Sequence, residues 1–360
     1  MVLCVQPKKN RVDVYKISDS KWSCTVLEEI VGLTSGCFSP CGLHVLVSSD
    51  FQLHLSVWCL NDPDAMQTLP GSKFGPQFNT DGSLMGLAIR KDCKDSIGIY
   101  CASTMKPLVH FAVGSTDLEE ISFSPRGECI AVRDNSLTFL VLLYSTADGS
   151  LLGKYSAYQN ALGARCMSWS PSGDYVAVGA FDGNAYILQV ACFRPCLKAS
   201  HVKGGGRMVD ENFNNNSIDA KPSLKTVSDT IPSTSRGVSC VTWNCDESFF
   251  ATLNESIANT VWIWSLSQLE PVKTLQFNGK VHSIKWSSEA TLLSITTNEQ
   301  SVFVWDPKQG DCCRRSRPIY TTDNPLPNAL GFRWSCDQTI CAVVGKTTGY
   351  LATFEENECI

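Results

Sequence analysis

The chain has 360 residues, 43% of them hydrophobic, with a formal net charge of −5 and a sequence pI near 5.6. This acidic balance gives no general reason to bind nucleic acid, and no apolar run reaches the roughly 18 residues of a membrane-spanning helix. The 18 cysteines do not suggest a secreted disulfide scaffold, which is normally shorter and denser in cysteine.

The first residues, M-V-L-C-V-Q-P-K-K, make a poor secretion signal. The thiols are therefore expected to be reduced, in a cytoplasmic protein. Several (Cys166, Cys240, Cys341) fall inside apolar runs, where a free thiol behaves as a small hydrophobe. Zinc is the alternative, but Cys37/Cys41 and Cys192/Cys196 are spaced C-x3-C and no second His/Cys pair accompanies either.

Val2 to Gln6 and Arg11 to Ile17 read as the second and third strands of a partial unit, and Trp22 to Leu27 as a fourth. A repeat then sets in. An apolar run ending in Phe or Trp, followed by a small polar turn, returns about every 42–46 residues. Phe38-Ser39-Pro40-Cys41-Gly42, Phe123-Ser124-Pro125-Arg126-Gly127 and Trp169-Ser170-Pro171-Ser172-Gly173 are the clearest copies. Weaker ones start at Phe78, Trp243, Trp286 and Trp334.

Within one copy, Arg165 to Trp169 alternates with the period of a strand. Pro171-Ser172-Gly173 supplies turn chemistry. Tyr175 to Gly179 is a second strand, Asp182-Gly183 a hairpin signal and Asn184 to Leu188 a third strand. Third strands usually end in an aromatic residue (Tyr15, Trp58, Tyr100, Tyr144, Trp264 and Trp305), the Asp182-Gly183 unit with Ile187-Leu188 being the exception, and only Trp305-Asp306 is a literal WD pair.

This period and grammar predict an all-β, WD-type β-propeller forming a single domain over 1–360. Six units span about 31–70, 71–113, 114–156, 161–200, 236–277 and 280–320, and a three-stranded seventh covers about 327–354. Seven closed blades are expected, with Trp22–Leu27 supplying the missing strand of the last unit and leaving no open edge. Eight, incomplete in this chain, is the alternative.

Residues 201–235 break the rhythm. They contain Gly204-Gly205-Gly206, Asn214-Asn215-Asn216 and a Ser/Thr-rich run from Ser223 to Ser235. With few apolar residues to offset ordering entropy, the stretch reads as a flexible insertion between blades.

No H-E-x-x-H, G-x-S-x-G or G-x-x-x-x-G-K-[ST] is present, and the five histidines are scattered. No catalytic, cofactor or metal residue is therefore assigned, and a binding scaffold is expected rather than an enzyme. Lys203-Gly204-Gly205-Gly206-Arg207 reads as a linker. Arg314-Arg315-Ser316-Arg317 reads as a solvated rim strand or a site for an acidic or phosphorylated partner.

Two segments are candidates for protein contact. The charged stretch Arg90, Lys91, Asp92, Cys93, Lys94, Asp95 lies between a second and a third strand and is either a solvated turn or a contact patch. Tyr155 and Tyr158 precede a first strand, where they anchor a partner or pack between blades. Trp262 and Trp264 point to one sheet face and read as core.

The charged stretch at 90–95, the run over 141–188 (V-L-L-Y-S-T-A-D-G-S-L-L-G-K-Y-S-A-Y, then S-W-S-P-S-G-D-Y-V-A-V-G-A-F-D-G) and Ala258-Asn259-Thr260-Val261-Trp262-Ile263-Trp264 together resemble a known family. It is the WD-repeat family of spindle poles, centrioles and centriolar satellites, encoded antisense to a p53-family gene. The resemblance covers nearly the whole chain. The family carries further repeat sequence upstream of what is Met1 here, so the chain reads as N-terminally shortened.

The resemblance implies a non-enzymatic scaffold at the centrosome, basal body or spindle pole. The implied partner is a coiled-coil satellite or microtubule-anchoring protein and, through it, γ-tubulin or a minus-end-directed kinesin. Microtubule anchoring, spindle organisation and cilium assembly are the implied roles. Two other classes stay open. A ubiquitin-ligase substrate receptor would favour W-D-x-R, where this chain has Trp305-Asp306-Pro307-Lys308. An RNA- or translation-associated propeller finds support only in the basic cluster at 314–317.

Overall fold

A computed structural model of the chain describes residues 1–16, 19–27, 32–62, 65–202, 205–210, 225–226, 236–268, 271–288, 291–297, 302–307, 313–316, 331–334, 340–344 and 349–353. Strands dominate. The helical turns among the described residues, Pro7–Lys9, Asp50–Gln52 and Glu255–Ile257, are three residues long.

The repeat legible in the sequence is a hydrogen-bonded turn between the first and second strands of five of the sheets. In the copy at Ser170, its amide donates to the Tyr175 carbonyl (2.9 Å), Gly173 N–H donates back to the Ser170 carbonyl (3.0 Å), and Ser170 Oγ accepts from Tyr175 N–H (3.1 Å). Ser39 with His44 and Ser124 with Cys129 repeat the pattern. Asn79 and Asn244 replace the hydroxyl with a side-chain amide oxygen, accepting from Leu84 N–H (2.8 Å) and Phe249 N–H (2.9 Å). A short polar side chain is needed because it caps the turn's own backbone. Gly173 sits at φ 82°, a left-handed conformation that L-residues adopt at a cost.

The chain packs as two compact units, residues Met1–Asn135 with Val141–Lys154, and Ser136–Leu140 with Tyr155–Ile360. In the first, Val2–Gln6, Arg11–Lys16 and Asp19–Leu27 form an antiparallel three-stranded sheet. Four-stranded sheets follow over 33–70, 77–112 and 120–155. Val12, Val14, Leu33, Val45 and Val47 form one core layer, and Leu46, Leu55, Met85, Leu87 and Tyr100 another.

In the second unit the sheets run over 164–210, 238–276, 281–316 and 331–353. Ala177, Ile187, Trp243, Phe250, Trp262 and Trp264 pack together, as do Leu253, Ile263, Trp286, Leu293, Ile295 and Trp305. Alternating small and aromatic residues let adjacent sheets interdigitate. The expectation that Trp262 and Trp264 are core holds, since both are fully buried.

Two expectations change. Trp22–Leu27 pairs with Arg11–Lys16, Val26 opposite Val12 and Cys24 opposite Val14, so it belongs to the N-terminal sheet rather than completing the last unit. Eight sheets of the repeating kind are thereby present among the described residues, which is the alternative count.

The insertion also begins with structure. Arg194–Val202 runs on past the expected unit end, and Gly205–Asp210 pairs antiparallel with it as a fifth strand. Lys225–Thr226 pairs in parallel with Tyr158–Gln159. The Asn214–Asn216 run and most of the hydroxyls from Ser223 to Ser235 lie outside the described residues.

Candidate functional site

The charged stretch is a hairpin built on Leu84–Lys91 and Lys94–Cys101, with Lys91 opposite Lys94. A two-residue connection between twisted strands favours positive φ at both positions. Asp92 and Cys93 adopt it, at 50° and 59°, without a glycine. The turn throws Lys91, Asp92, Cys93 and Lys94 into solvent.

Asp95 points the other way and is 3% exposed. Its carboxylate accepts from Leu118 N–H (2.7 Å), Ser115 Oγ (3.2 Å) and Arg90 Nη1 (3.2 Å), with Lys73 Nζ 3.6 Å away. Arg90 also pairs with Asp117 at 2.7 Å, and Lys73 bonds the same carboxylate. Hydrogen bonding and charge from Lys73, then charge from Arg90, hold the Asp117 carboxyl below its ordinary range. Asp134 closes the arrangement by accepting from Thr116 N–H (3.1 Å) and Asp117 N–H (2.9 Å).

Two of the five charged candidates are therefore not free surface. Asp95 is a buried anion that ties the 114–118 connection to its sheet, and Arg90 is committed to ion pairs. A buried carboxylate must be neutralised and hydrogen-bonded to stay charged, and Lys73, Arg90 and Leu118 N–H do this. Lys91, Asp92 and Lys94 keep the contact reading. Lys73 and Asp117 escaped the reading of the sequence. Their separation of 44 residues, one repeat, was the available signal.

The tyrosine pair resolves towards packing. Tyr158 is 4% exposed and its hydroxyl donates to the Leu162 carbonyl at 2.7 Å. Its ring meets Phe139 edge-on at 5.1 Å, and Phe139 also contacts Tyr155 at 5.6 Å and Tyr186 at 5.4 Å. Edge-to-face rings at these spacings are favourable core contacts. Burial, then the charge of Asp182, pushes the Tyr158 and Tyr186 phenols well above their ordinary range. Tyr158 is thus a core residue rather than a surface anchor, and Tyr155, half-buried beside Phe139, retains a solvent-facing part.

Among the described residues no group of three or more His, Cys, Asp or Glu is placed to hold a metal. Cys196 is buried and bonds the Ile187 carbonyl at 3.3 Å, whereas Cys192 is exposed beside Gln189. Burial pushes the Cys37 and Cys240 thiols up to about 11. Cys101 differs. Hydrogen bonds from Ser103 and Thr104 bring its thiol down to about 6. The Arg314–Arg317 and Cys341 side chains lie outside the described residues.

Comparison with known proteins places this geometry. The family model described as WD domain, G-beta repeat matches residues 149–187. The mouse (Mus musculus) WD repeat-containing protein WRAP73 is 28% identical over 393 aligned residues, covering 99% of this chain and 83% of its own length. An uncharacterised WD repeat-containing protein of Schizosaccharomyces pombe, C32H8.09, is 23% identical, and the alignment covers 70% of this chain and 53% of the relative. Among solved structures, the C-terminal WD40 domain of Sif2 superposes with a TM-score of 0.62 at 11% identity, over 97% of this chain and 91% of that one. A chain of the mitotic checkpoint complex does so at 0.56 and 13%, over 90% and 87%. These likenesses bear on fold, and with the sheets above they make it an all-β WD-type propeller.

Proposed function

Since the chain is a WD-repeat protein related to mouse WRAP73, we propose that it is a non-catalytic protein-interaction scaffold of the centrosome, basal body or spindle pole. It supports microtubule minus-end anchoring, spindle organisation and cilium assembly. Its partner is a coiled-coil satellite or anchoring protein, which brings γ-tubulin or a minus-end-directed kinesin. The observation that carries the reading is the extent of the relationship, since WRAP73 aligns with 99% of this chain rather than with one repeat.

The chemistry of the hairpin suits the role. Short loops on stiff sheets bind with little ordering cost, and the tip at Lys91, Asp92 and Lys94 is displayed by an ion cluster that fixes its base on the buried Asp95. Rim charges of this kind steer encounter and set partner choice more than they add affinity.

Proximity labelling of the tagged protein in dividing cells tests the reading. Enrichment of coiled-coil centrosomal proteins is expected, and a profile without them would overturn it. Charge reversal at Lys91 and Lys94 is expected to weaken recovery of the partner, and unchanged recovery would remove the hairpin from the interface.

A further inference from the structure

The loop joining His44–Ser49 to His54–Cys59 holds the least economical backbone of the first unit. Phe51 (φ 57°) and Gln52 (φ 58°) are consecutive left-handed residues, and neither is glycine, asparagine or aspartate. The surroundings hold them there. Ser49 Oγ donates to the His54 carbonyl (2.8 Å) and accepts from His54 N–H (2.9 Å), closing the base of the loop. Asp50 N–H donates to the Gly32 carbonyl (2.6 Å), and Gln52 Nε2 donates to the Lys73 carbonyl (3.2 Å). A Cβ added at Gly71 would collide with the Gln52 carbonyl, so the neighbouring connection closes against the loop.

This strained, braced loop buries nothing at its tip. Phe51 is 89% exposed, the most of any large hydrophobic residue described, and Leu53 is 61% exposed. A solvated hairpin would favour Asn-Gly and would not display an aromatic ring. Strain retained by the surrounding structure points to use at that position.

The same bonds join the loop to the charged hairpin. Gln52 reaches Lys73, and Lys73 N–H donates to the Ala88 carbonyl (2.8 Å). Lys73 also shares Asp95 and Asp117 with Arg90, which adjoins Lys91. An apolar knob and an exposed two-lysine tip are thus joined through Lys73.

We propose that Phe51 and Leu53 form a docking knob that inserts into an apolar, carboxylate-edged surface of a protein partner, with Lys91 and Lys94 as the charged flank. The inference rests on the scaffold reading and names the partner chemistry of that surface. Charge selects this occupant. A second copy would set lysine against lysine in a symmetric contact. An anionic membrane needs more cations than two lysines beside Asp92, on a chain carrying −5 overall.

The test places a single trifluoromethylphenylalanine at position 51 of the full chain and follows its fluorine resonance. Two amphipathic helical peptides are titrated, one with a leucine face flanked by glutamate and one with the same face flanked by lysine. Phosphatidylserine vesicles and increasing protein concentration are further arms. A saturable shift with the glutamate peptide, lost in Lys91→Glu/Lys94→Glu and at least tenfold weaker with the lysine peptide, is expected. No shift, equal shifts with both peptides, a shift with vesicles alone, or a shift with protein concentration alone overturns the proposal.

Phe51→Asn/Gln52→Gly separates docking from folding. It is expected to raise the melting temperature by a few degrees while abolishing docking, assayed in this background by reduced proximity labelling. A lowered melting temperature would make the loop a structural element and sink the idea. In the labelling experiment, a wild-type profile rich in coiled-coil proteins that Phe51→Ser/Leu53→Ser leaves unchanged overturns the knob alone. A wild-type profile without them overturns the scaffold reading instead.

Discussion

Trp264 Nε1 donates to Thr252 Oγ1 at 2.8 Å, two positions along the neighbouring strand from its register partner Phe250. The hydroxyl in turn donates to His201 Nε2 at 2.6 Å, and His201 Nδ1 stands 2.6 Å from the Gly183 carbonyl. A carbonyl only accepts, so Nδ1 carries the hydrogen and Nε2 receives one. Trp305 and Trp58 occupy the same register in their own sheets, opposite Leu293 and Val45. The position of Thr252 is Ile295 in one and Val47 in the other, and both indole N–H groups are buried without a partner among the described residues.

Thr252→Val is therefore expected to cost about 2–4 kcal/mol, since it strands both the indole N–H and the imidazole. Val47→Thr, of the same shape, offers Trp58 an acceptor and should change stability by about 1 kcal/mol or less. The same exchange at the equally buried Val45 supplies no acceptor at the diagonal position and should cost about 1–2 kcal/mol. Urea denaturation of the three variants checks the order, and equal losses at 45 and 47 would refute it.

The His201 ring lies edge-on to Trp262 at 4.8 Å and Trp264 at 5.5 Å. Desolvation lowers its pKa from 6.5 to about 4, against a smaller raising effect of the Gly183 bond. Above pH 6.5 the imidazole is neutral in both the folded and unfolded chain and contributes no pH dependence. Between 6.5 and about 4 the unfolded chain binds a proton that the folded chain does not, so stability falls by up to about 1.4 kcal/mol per pH unit. Below about 4 both forms are protonated and this slope ends. Urea midpoints from pH 7.5 to 4 should fall more steeply for the native chain than for His201→Gln. Matching slopes would place the acid sensitivity elsewhere.

Architecture was legible because a turn capped by Ser or Asn recurs in five of the sheets, and third-strand aromatics recur at about the same period, the 164–210 sheet excepted. Sequence also marked the 90–95 hairpin. What it could not divide was which charges face water. Asp92 and Asp95 look alike in a row of six residues of which five are charged, yet pairing Asp95 with Arg90 across the strands turns it inward beneath Lys73. Tyr158 was ambiguous for a similar reason: its partners Phe139 and Tyr186 lie in other segments, and only tertiary packing brings three rings together. The Phe51 loop was missed because positive φ is expected at glycine, and Asp50-Phe51-Gln52-Leu53 contains none.

The division within the hairpin has a direct consequence. Asp95→Ala strips Leu118 N–H of its buried acceptor and leaves Lys73 and Arg90 with Asp117 alone, and is expected to destabilise by about 1–3 kcal/mol. Lys91→Glu and Lys94→Glu, at the solvated tip, should stay within about 0.5 kcal/mol of the native chain. Thermal and urea unfolding measure both. A large loss at Lys94, or a negligible one at Asp95, would reverse the assignment of buried and displayed charge.

The thiols offer a readout of local hydrogen bonding. Cys101 Sγ lies 3.2 Å from Ser103 Oγ in the turn before Lys106, where hydroxyl and amide donors favour the thiolate. With a pKa near 6, Cys101 is mostly thiolate at pH 7, while Cys37 and Cys240, near 11, remain thiols. Iodoacetamide labelling of the folded chain, followed by peptide mass spectrometry, should modify Cys101 well before either of the others. Its rate should reach half its plateau near pH 6 and be flat above pH 7.5. Ser103→Ala removes the first donor, so the midpoint should move upward towards the ordinary value of 9.0. A midpoint that stays near 6 without the serine would assign the effect to Thr104 and the turn amides instead.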